Sequence, residues 1–152
     1  PVTGRSVTLD RPPQAVLFAC NLNAVRSPMA VGLMRMRFGN RVYVDSCGVR
    51  PGELDAFAVE VMDELGVDIS KHRPKGFGDL EDTSFDLAIS LSPEAHHQSL
   101  ELTRTNAIDV EYWPTFDPTA VEGTRERRLE EYRMVRDMLD QRILKRFAML
   151  RS

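Results

Sequence analysis

The sequence has few of the residues that several classes of protein require. Its 152 residues include two cysteines, three histidines and one tryptophan. Two cysteines are too few for a small secreted domain held by disulfides, and a structural disulfide between Cys20 and Cys47 is not expected in a chain of this size. The histidines, cysteines and carboxylates do not occur at the spacing of metal ligands. We therefore expect neither a metal site nor a cofactor.

An excess of positive charge and long apolar runs are also missing. The net charge of −3 gives no basic surface for nucleic acid or an anionic membrane. No apolar stretch approaches the roughly 20 residues of a transmembrane helix, and the start of the sequence lacks the apolar core of a signal peptide. We expect a cytoplasmic monomer without nucleic-acid or membrane partners.

Length and composition favour one domain. A hydrophobic content of 42% in 152 residues is enough for one sizeable core and too little for two comfortable ones. Residues 1–14 are polar and carry Pro12 and Pro13 near their end, which predicts a flexible arm. The domain itself is expected over residues 15–152.

Apolar segments alternate with amphipathic segments along the chain. The predicted strands are residues 15–20, 42–46, 85–91 and 107–112. The predicted helices are residues 28–38, residues 56–65 with Asp55 as the cap and Leu65 on the buried face, a helix starting at Ser92-Pro93, and residues 125–150. This alternation predicts a doubly wound α/β fold, with a four-stranded parallel sheet, right-handed crossovers and helices on both faces.

The most informative segment is residues 15–30, AVLFACNLNAVRSPMA. A predicted strand ends at Cys20, five residues follow, and Arg26-Ser27-Pro28 opens a helix. A loop between a strand and a helix N-terminus directs backbone N–H groups inwards, and the helix dipole adds positive potential there. Such surroundings stabilise a thiolate, and an arginine at the same place can bind two oxygens of an oxyanion. Residues 20–27 are therefore predicted to form an oxyanion site, and we call this segment the anion loop.

Ser27 is predicted to have two roles. It is the expected N-cap of the helix, with Pro28 at the first helical position. Its hydroxyl is also expected to donate a hydrogen bond to the sulfur of Cys20. The residues predicted to bind the anion are those that follow the nucleophile in the loop: Asn21, Leu22, Asn23, Ala24, Val25, Arg26 and Ser27.

Residues able to take part in chemistry follow each predicted strand. Cys20 comes at the end of the first strand, Ser46 ends the second, Ser92 follows the third and Asp117 follows the fourth. Ligands of doubly wound sheets bind at the carboxyl ends of strands, where the strand order reverses. We therefore expect these segments to meet at one site.

The anion loop resembles that of the low-molecular-weight protein tyrosine phosphatases and of the thioredoxin-coupled arsenate reductases that share their fold. That family has Cys-x-Gly-Asn-x-Cys-Arg-Ser-Pro, and this chain matches it at Cys20, Asn23 and Arg26-Ser27-Pro28. The resemblance implies a flavodoxin-like fold over residues 15–152. Leu22 replaces the family's glycine, and Val25 replaces a second cysteine, so the protective disulfide of many members is not expected.

The resemblance also implies supporting residues and a proton donor. Asn23, Ser46 and His72 are expected to hold the loop in a strained left-handed conformation. Asp117-Pro118 matches the family's Asp-Pro motif, and expulsion of an alkoxide or phenoxide requires such an acid opposite the sulfur. In the absence of the anion loop, an Asp-Pro pair would simply indicate a turn. Residues 113–118 are called the acid loop below.

The family's aromatic residues, which enclose a phosphotyrosine ring, are missing. Thr119 follows Asp-Pro where an aromatic residue is usual, and residues 48–52 contain none. Phe57, Trp113 and Phe116 are left as possible replacements.

Three functions are compatible with the sequence. The first is a cysteine-dependent phosphatase that hydrolyses phosphomonoesters through a phosphocysteine, with protein phosphotyrosine as the main candidate and phosphoarginine or another small phosphoester as alternatives. Inorganic phosphate would be its product and inhibitor. The second is a thiol-dependent arsenate reductase. Only Cys47 remains for a thiol relay in this sequence, and an external thiol such as glutathione is the alternative. The third is an anion-binding regulatory module with weak turnover.

Overall fold

Four parallel strands and four α-helices make up the regular structure of residues 12–81 and 84–150, the part of the chain that a computed structural model describes. The strands are β1 (Ala15–Cys20), β2 (Tyr43–Gly48), β3 (Leu87–Ser90) and β4 (Asp109–Tyr112). The helices are α1 (Arg26–Phe38), α2 (Ala56–Asp63), α3 (Pro93–Leu102) and α4 (Arg125–Arg146). The strand order is β2-β1-β3-β4, and every neighbouring pair is parallel. The predicted doubly wound α/β fold is confirmed.

The central strand β1 separates two apolar layers. Alternate side chains of a strand point to opposite faces of the sheet. Phe18 and Cys20 belong to the larger core, which includes Leu33 of α1 and Leu139 of α4. Residues 17 and 19 belong to the smaller core together with Ala95 of α3. Helices therefore cover both faces, as predicted.

Strand β2 runs further than its predicted end at Ser46. Cys47 and Gly48 continue the ladder opposite Ala19 and Cys20, so β2 reaches the same level as the start of the anion loop. A Cβ atom on Gly48 would lie 2.7 Å from both the carbonyl oxygen of Asn21 and the amide nitrogen of residue 23. The strand can approach the loop this closely because residue 48 is glycine.

Helix α2 is shorter than predicted. Asp55 caps it, as its side chain accepts hydrogen bonds from the N–H groups of Phe57 and Ala58. The helix ends at Asp63 in a tight turn that leads to Gly66, whose φ is +75°. This turn takes Leu65 off the buried stripe, and the residue is 39% exposed. The prediction that Leu65 is buried was wrong.

The two ends of the chain depart from the predicted boundaries. Of the predicted arm, residues 1–11 lie outside the described residues, and Gln14 already contacts the sheet. Its N–H donates to Asp86 at 2.9 Å and its carbonyl accepts from the N–H of Tyr43 at 2.9 Å. At the other end α4 stops at Arg146, and a short 3₁₀ turn follows. Within the described part of the chain, none of the helices has the length and apolar character needed to cross a bilayer.

Candidate active site

The anion loop begins at the last residue of β1 and leads directly into α1. The carbonyls of its first five residues each accept a hydrogen bond from outside the loop. Their donors are the N–H groups of Val49, Arg50, Gly52 and Asp55, and Nε2 of His72. In a trans peptide the C=O and the following N–H point in opposite directions, so the N–H groups of residues 21–25 face the interior of the loop. None of them has an acceptor among the described residues, and such a concave set of N–H groups binds anions.

Asn23 is the centre of the loop's internal support. It has a φ of +55°, in the left-handed region that asparagine tolerates better than most residues. Its Nδ2 donates to Ser27 Oγ at 2.8 Å and to Ser46 Oγ at 2.9 Å. Its Oδ1 accepts from the N–H of Lys75 at 2.9 Å and lies 3.0 Å from Nε2 of His72. The structure therefore brings Asn23, Ser27, Ser46 and His72 together, as expected for supporting residues.

Ser27 is not the N-cap of α1. The helix begins at Arg26, and Val25 precedes it without a side-chain cap. The Ser27 hydroxyl instead lies 3.0 Å from the sulfur of Cys20. Because this oxygen accepts from Asn23, its own hydrogen can point to the sulfur and stabilise negative charge there. The N-cap prediction was wrong, because the Ser27 hydroxyl forms its contacts inside the anion loop.

His72 supports the loop as a neutral donor. Its Nε2 lies 3.1 Å from the carbonyl oxygen of Asn23 and 3.0 Å from the side-chain oxygen, so Nε2 carries the hydrogen. Burial lowers the pKa of His72 below its usual value, and the hydrogen bond to Asn23 only partly offsets this. A neutral imidazole with its proton on Nε2 fits this site.

Arg26 connects the anion loop to the acid loop. Its guanidinium is buried, and Nη1 donates to the carbonyl of Thr115 at 2.9 Å. Nη2 lies 4.0 Å from Oδ2 of Asp117. The other carboxylate oxygen of Asp117 accepts from the N–H of Thr119 at 3.0 Å and from its hydroxyl at 2.7 Å. Thr119 thus orients the carboxylate and leaves Oδ2 on the side of the arginine.

These residues surround a cavity of about 220 Å³. Cys20, Arg26 and Asp117 all line it. Sequence reasoning did not find three further polar lining residues: Arg50, Glu53 and Asp55. Arg50 and Glu53 lie in the loop after β2. Their position after the carboxyl end of a parallel strand is the sequence signal that could have identified them. Asp55 was identified as a helix cap alone.

The possible replacements for the aromatic walls do not line this cavity. Trp113 is 5% exposed and packs edge-on against Phe18. The guanidinium groups of Arg125 and Arg128 lie over the ring of Phe57. Phe116 is 54% exposed. The described residues that line the cavity therefore include no aromatic side chain.

The remaining loop side chain with polar contacts is Asn21. Its Oδ1 accepts from the hydroxyl of Ser92 at 2.6 Å, and its Nδ2 donates to Glu94 at 2.8 Å. Glu94 also pairs with Arg50 at 3.4 Å. Ser92, which follows β3, also caps α3 through the N–H of Ala95. The start of α3 is thus attached to the anion loop.

The second cysteine is separated from the site by the sheet itself. Cys47 lies opposite Ala19 in the β1–β2 ladder, and both belong to the core beneath α3. Cys20 belongs to the core on the other face, and both thiols are free. Burial raises the pKa of the Cys47 thiol far above its usual range. A Cys20–Cys47 disulfide would need the sheet to rearrange.

Comparisons with known proteins agree with this fold. Residues 15–152 match the family model of the low molecular weight phosphotyrosine protein phosphatases. An arsenate reductase of Bacillus licheniformis is 33% identical over 139 residues, which cover 89% of this chain and 95% of that protein.

Two solved structures share the fold. An arsenate reductase in its phosphate-binding state has a TM-score of 0.70 at 26% identity, covering 90% of this chain and 98% of the other. A low molecular weight protein tyrosine phosphatase from T. tengcongensis has a TM-score of 0.72 at 24% identity, with the same coverage. With the family match extending from β1 to the C-terminus, this chain belongs to the low molecular weight phosphotyrosine protein phosphatase family.

Proposed function

We propose that the protein is a phosphatase that hydrolyses phosphomonoesters through Cys20. The observation that supports this most is the shared cavity of Cys20, Arg26 and Asp117, into which the N–H groups of the anion loop also point. A phosphate group in the loop would place its oxygens on these N–H groups and on the guanidinium. Donors fixed in advance around the transferring group provide most of the stabilisation in phosphoryl transfer.

The reaction has two steps. The Cys20 thiolate attacks phosphorus and forms an S–P bond while the P–O bond to the leaving group breaks and Asp117 gives its proton to the leaving oxygen. The Asp117 carboxylate then takes a proton from a water molecule, whose oxygen attacks phosphorus and breaks the S–P bond. Inorganic phosphate leaves and the thiolate is restored. Ser27 stabilises the sulfur charge in both steps.

Protein phosphotyrosine is the first substrate to test, because the family is named for it. The cavity has no aromatic wall, but two exposed apolar side chains occur nearby. Leu22 lines the cavity and is 43% exposed, while Phe116 precedes Asp117 in the chain. These two side chains are the surface that we propose contacts an aromatic leaving group. Small phosphoesters would require less of this surface.

Arsenate reduction is the second candidate, because curated relatives of this chain are named arsenate reductases. Arsenate is a tetrahedral oxyanion like phosphate, so the same loop could bind it. Cys20 would attack arsenic and displace hydroxide; a second thiol would then attack the Cys20 sulfur, forming a disulfide as arsenic(V) leaves as arsenite. Cys47 lies across the sheet, so this second thiol would have to come from another molecule, such as glutathione.

One pair of assays tests both candidates. Hydrolysis of para-nitrophenyl phosphate is measured from about pH 5 to about pH 8 with phosphate as competitor. Arsenite formation from arsenate is measured with glutathione as the thiol, and Cys20→Ser is the control in both assays. Cys20-dependent hydrolysis inhibited by phosphate would support the phosphatase, and thiol-dependent arsenite formation the reductase. Phosphate binding without either reaction would refute both candidate functions and favour an anion-binding regulatory module.

A further inference from the structure

Asp55 joins three parts of the protein at the edge of the cavity. Its N–H donates to the carbonyl of Ala24 in the anion loop at 3.2 Å. Its Oδ1 accepts from the N–H groups that begin α2, at 2.8 and 3.2 Å. Its Oδ2 accepts from the hydroxyl of Tyr132 in α4 at 2.9 Å. One residue therefore contacts the anion loop, α2 and α4.

Tyr132 is fully buried in the middle of α4, and its ring packs edge-on against Phe57 of α2 at 5.4 Å. The phenol ring does not line the cavity. Burial, and then the hydrogen bond to Asp55, raise the pKa of the Tyr132 hydroxyl far above its usual range. The hydroxyl therefore keeps its proton and remains a donor to Asp55.

The acid loop is held between two fixed points. Arg26 holds its first part through the carbonyl of Thr115. Its last part continues into the 3₁₀ turn Pro118–Ala120, which packs against α4. Since α4 is in turn fixed to Asp55 through Tyr132, movement of α4 away from the anion loop would carry Asp117 with it.

We propose that the hydrogen bond between Tyr132 and Asp55 positions Asp117 for proton transfer to the leaving-group oxygen. Tyr132 is a positioning residue, because its ring does not line the cavity and, among the described residues, its hydroxyl donates to Asp55 rather than to Asp117. This inference rests on the proposed phosphatase function. Proton donors act only within hydrogen-bond reach of the oxygen they protonate, so a small shift of the acid loop weakens this step more than it weakens anion binding.

The test uses two substrates that differ in their need for the acid. Para-nitrophenolate leaves readily without a proton, whereas phenolate from phenyl phosphate is a poorer leaving group. For Tyr132→Phe, which keeps the ring and removes the hydroxyl, we expect kcat/KM to fall about tenfold for phenyl phosphate and less than about twofold for para-nitrophenyl phosphate. The inhibition constant of phosphate should not change. Asp117→Asn provides the reference for full loss of the acid.

Tyr112→Phe is the matched control, because Tyr112 lies in β4 and its ring stacks on His96 away from the cavity. Asp55→Asn keeps an oxygen to cap α2 and replaces the carboxylate partner of Tyr132, and it should show the same dependence on the leaving group. The double variant should lose no more than either single variant, because both remove one interaction.

Three outcomes are distinguishable. Equal loss on both substrates in Tyr132→Phe and Asp55→Asn, or no loss on either, would overturn the inference and leave the hydrogen bond a merely structural contact. Absence of Cys20-dependent hydrolysis in the unaltered protein would overturn the proposed function and the inference together. Selective loss on phenyl phosphate would support both. If Tyr132→Phe does not fold, Asp55→Asn decides by the same comparison.

Discussion

The sulfur of Cys20 lies 3.0 Å from the hydroxyl oxygen of Ser27, which Asn23 holds through a second hydrogen bond of 2.8 Å. With Cys20 as the thiolate, the order of donors along this chain of contacts is fixed, because the amide N–H can only donate and the thiolate sulfur can only accept. Asn23 gives its hydrogen to Ser27, and Ser27 is left to give its own hydrogen to Cys20. Asn23 therefore supports the proposed nucleophile, Cys20, through the hydroxyl of Ser27.

Ser27→Ala is expected to lower the rate of Cys20-dependent hydrolysis by about ten- to a hundredfold, because hydrogen bonds to charged groups contribute about 1.5–3 kcal/mol. Steady-state turnover of para-nitrophenyl phosphate measures this loss. Ser99→Ala is the control, since Ser99 is also buried but its hydroxyl has no hydrogen-bond partner among the described residues. An equal loss in both variants would contradict the role of the Ser27–Cys20 contact.

Gly48→Ala should weaken phosphate binding, because its Cβ would lie 2.7 Å from backbone atoms of Asn21 and Asn23. The anion loop would have to shift, and we expect a loss of about 1–3 kcal/mol in the free energy of unfolding. Phosphate affinity by calorimetry and chemical denaturation measure the two effects. Gly78→Ala is the matched control, because a Cβ there would have no neighbour within 4 Å in the part of the chain that the structure describes. Unchanged affinity in Gly48→Ala would show that the loop tolerates the extra atom.

Lower pH should destabilise the protein through His72. Burial holds the pKa of His72 below its usual value near 6.5, so the unfolded chain binds the proton more strongly than the folded protein. The free energy of unfolding should therefore fall as the pH drops below about 6.5, with a slope of at most about 1.4 kcal/mol per pH unit. Denaturation curves between about pH 7.5 and about pH 5.5 measure this slope.

His72→Gln should remove this part of the slope, whereas His97→Gln, which changes an exposed histidine on α3, should retain it. The two variants must be compared over the same pH range, because carboxylates add their own dependence at lower pH. The same slope in both variants would rule out His72 as its source.

Cys47→Ala should leave hydrolysis within about twofold of the unaltered protein, because removing a buried sulfur beneath α3 does not touch the cavity. A small thiol reagent should modify Cys20 in the folded protein, because Cys20 lines the cavity although it is only 2% exposed. It should reach Cys47 only after unfolding, since Cys47 lies in the core beneath α3 and burial raises its pKa. Mass spectrometry of the alkylated protein measures both sites. Loss of activity in Cys47→Ala would instead favour thiol relay chemistry.

The parts of the structure that follow from local sequence were predicted well. The strand at residues 15–20 and the helix after it carry signals within a few residues: an apolar run, Arg-Ser-Pro and a glycine at the end. The position of the acid loop also followed, because parallel strands direct their carboxyl ends to one edge of the sheet.

Contacts between distant segments could not be predicted in the same way. Ser27 has the sequence of an N-cap, yet its hydroxyl contacts Cys20 and accepts a hydrogen bond from Asn23, whose amide also donates to Ser46 of the distant strand β2. Asp55 was correctly assigned as a helix cap, but its hydrogen bond to Tyr132 depends on how α2 packs against α4. Hydrophobic periodicity predicts which side of each helix is buried. It does not predict which residue of another segment that side contacts.

The conformation of the anion loop depends on several segments, because its carbonyls accept hydrogen bonds from residues outside the loop. The donors to its first five carbonyls lie between Val49 and His72, and none comes from the loop itself. Residues 20–27 transplanted alone into another parallel sheet would therefore not keep their conformation or their affinity for phosphate. A successful transplant would have to carry residues 48–55 and the segment around His72 with it, so the smallest unit that can be inherited or engineered is the set of three segments.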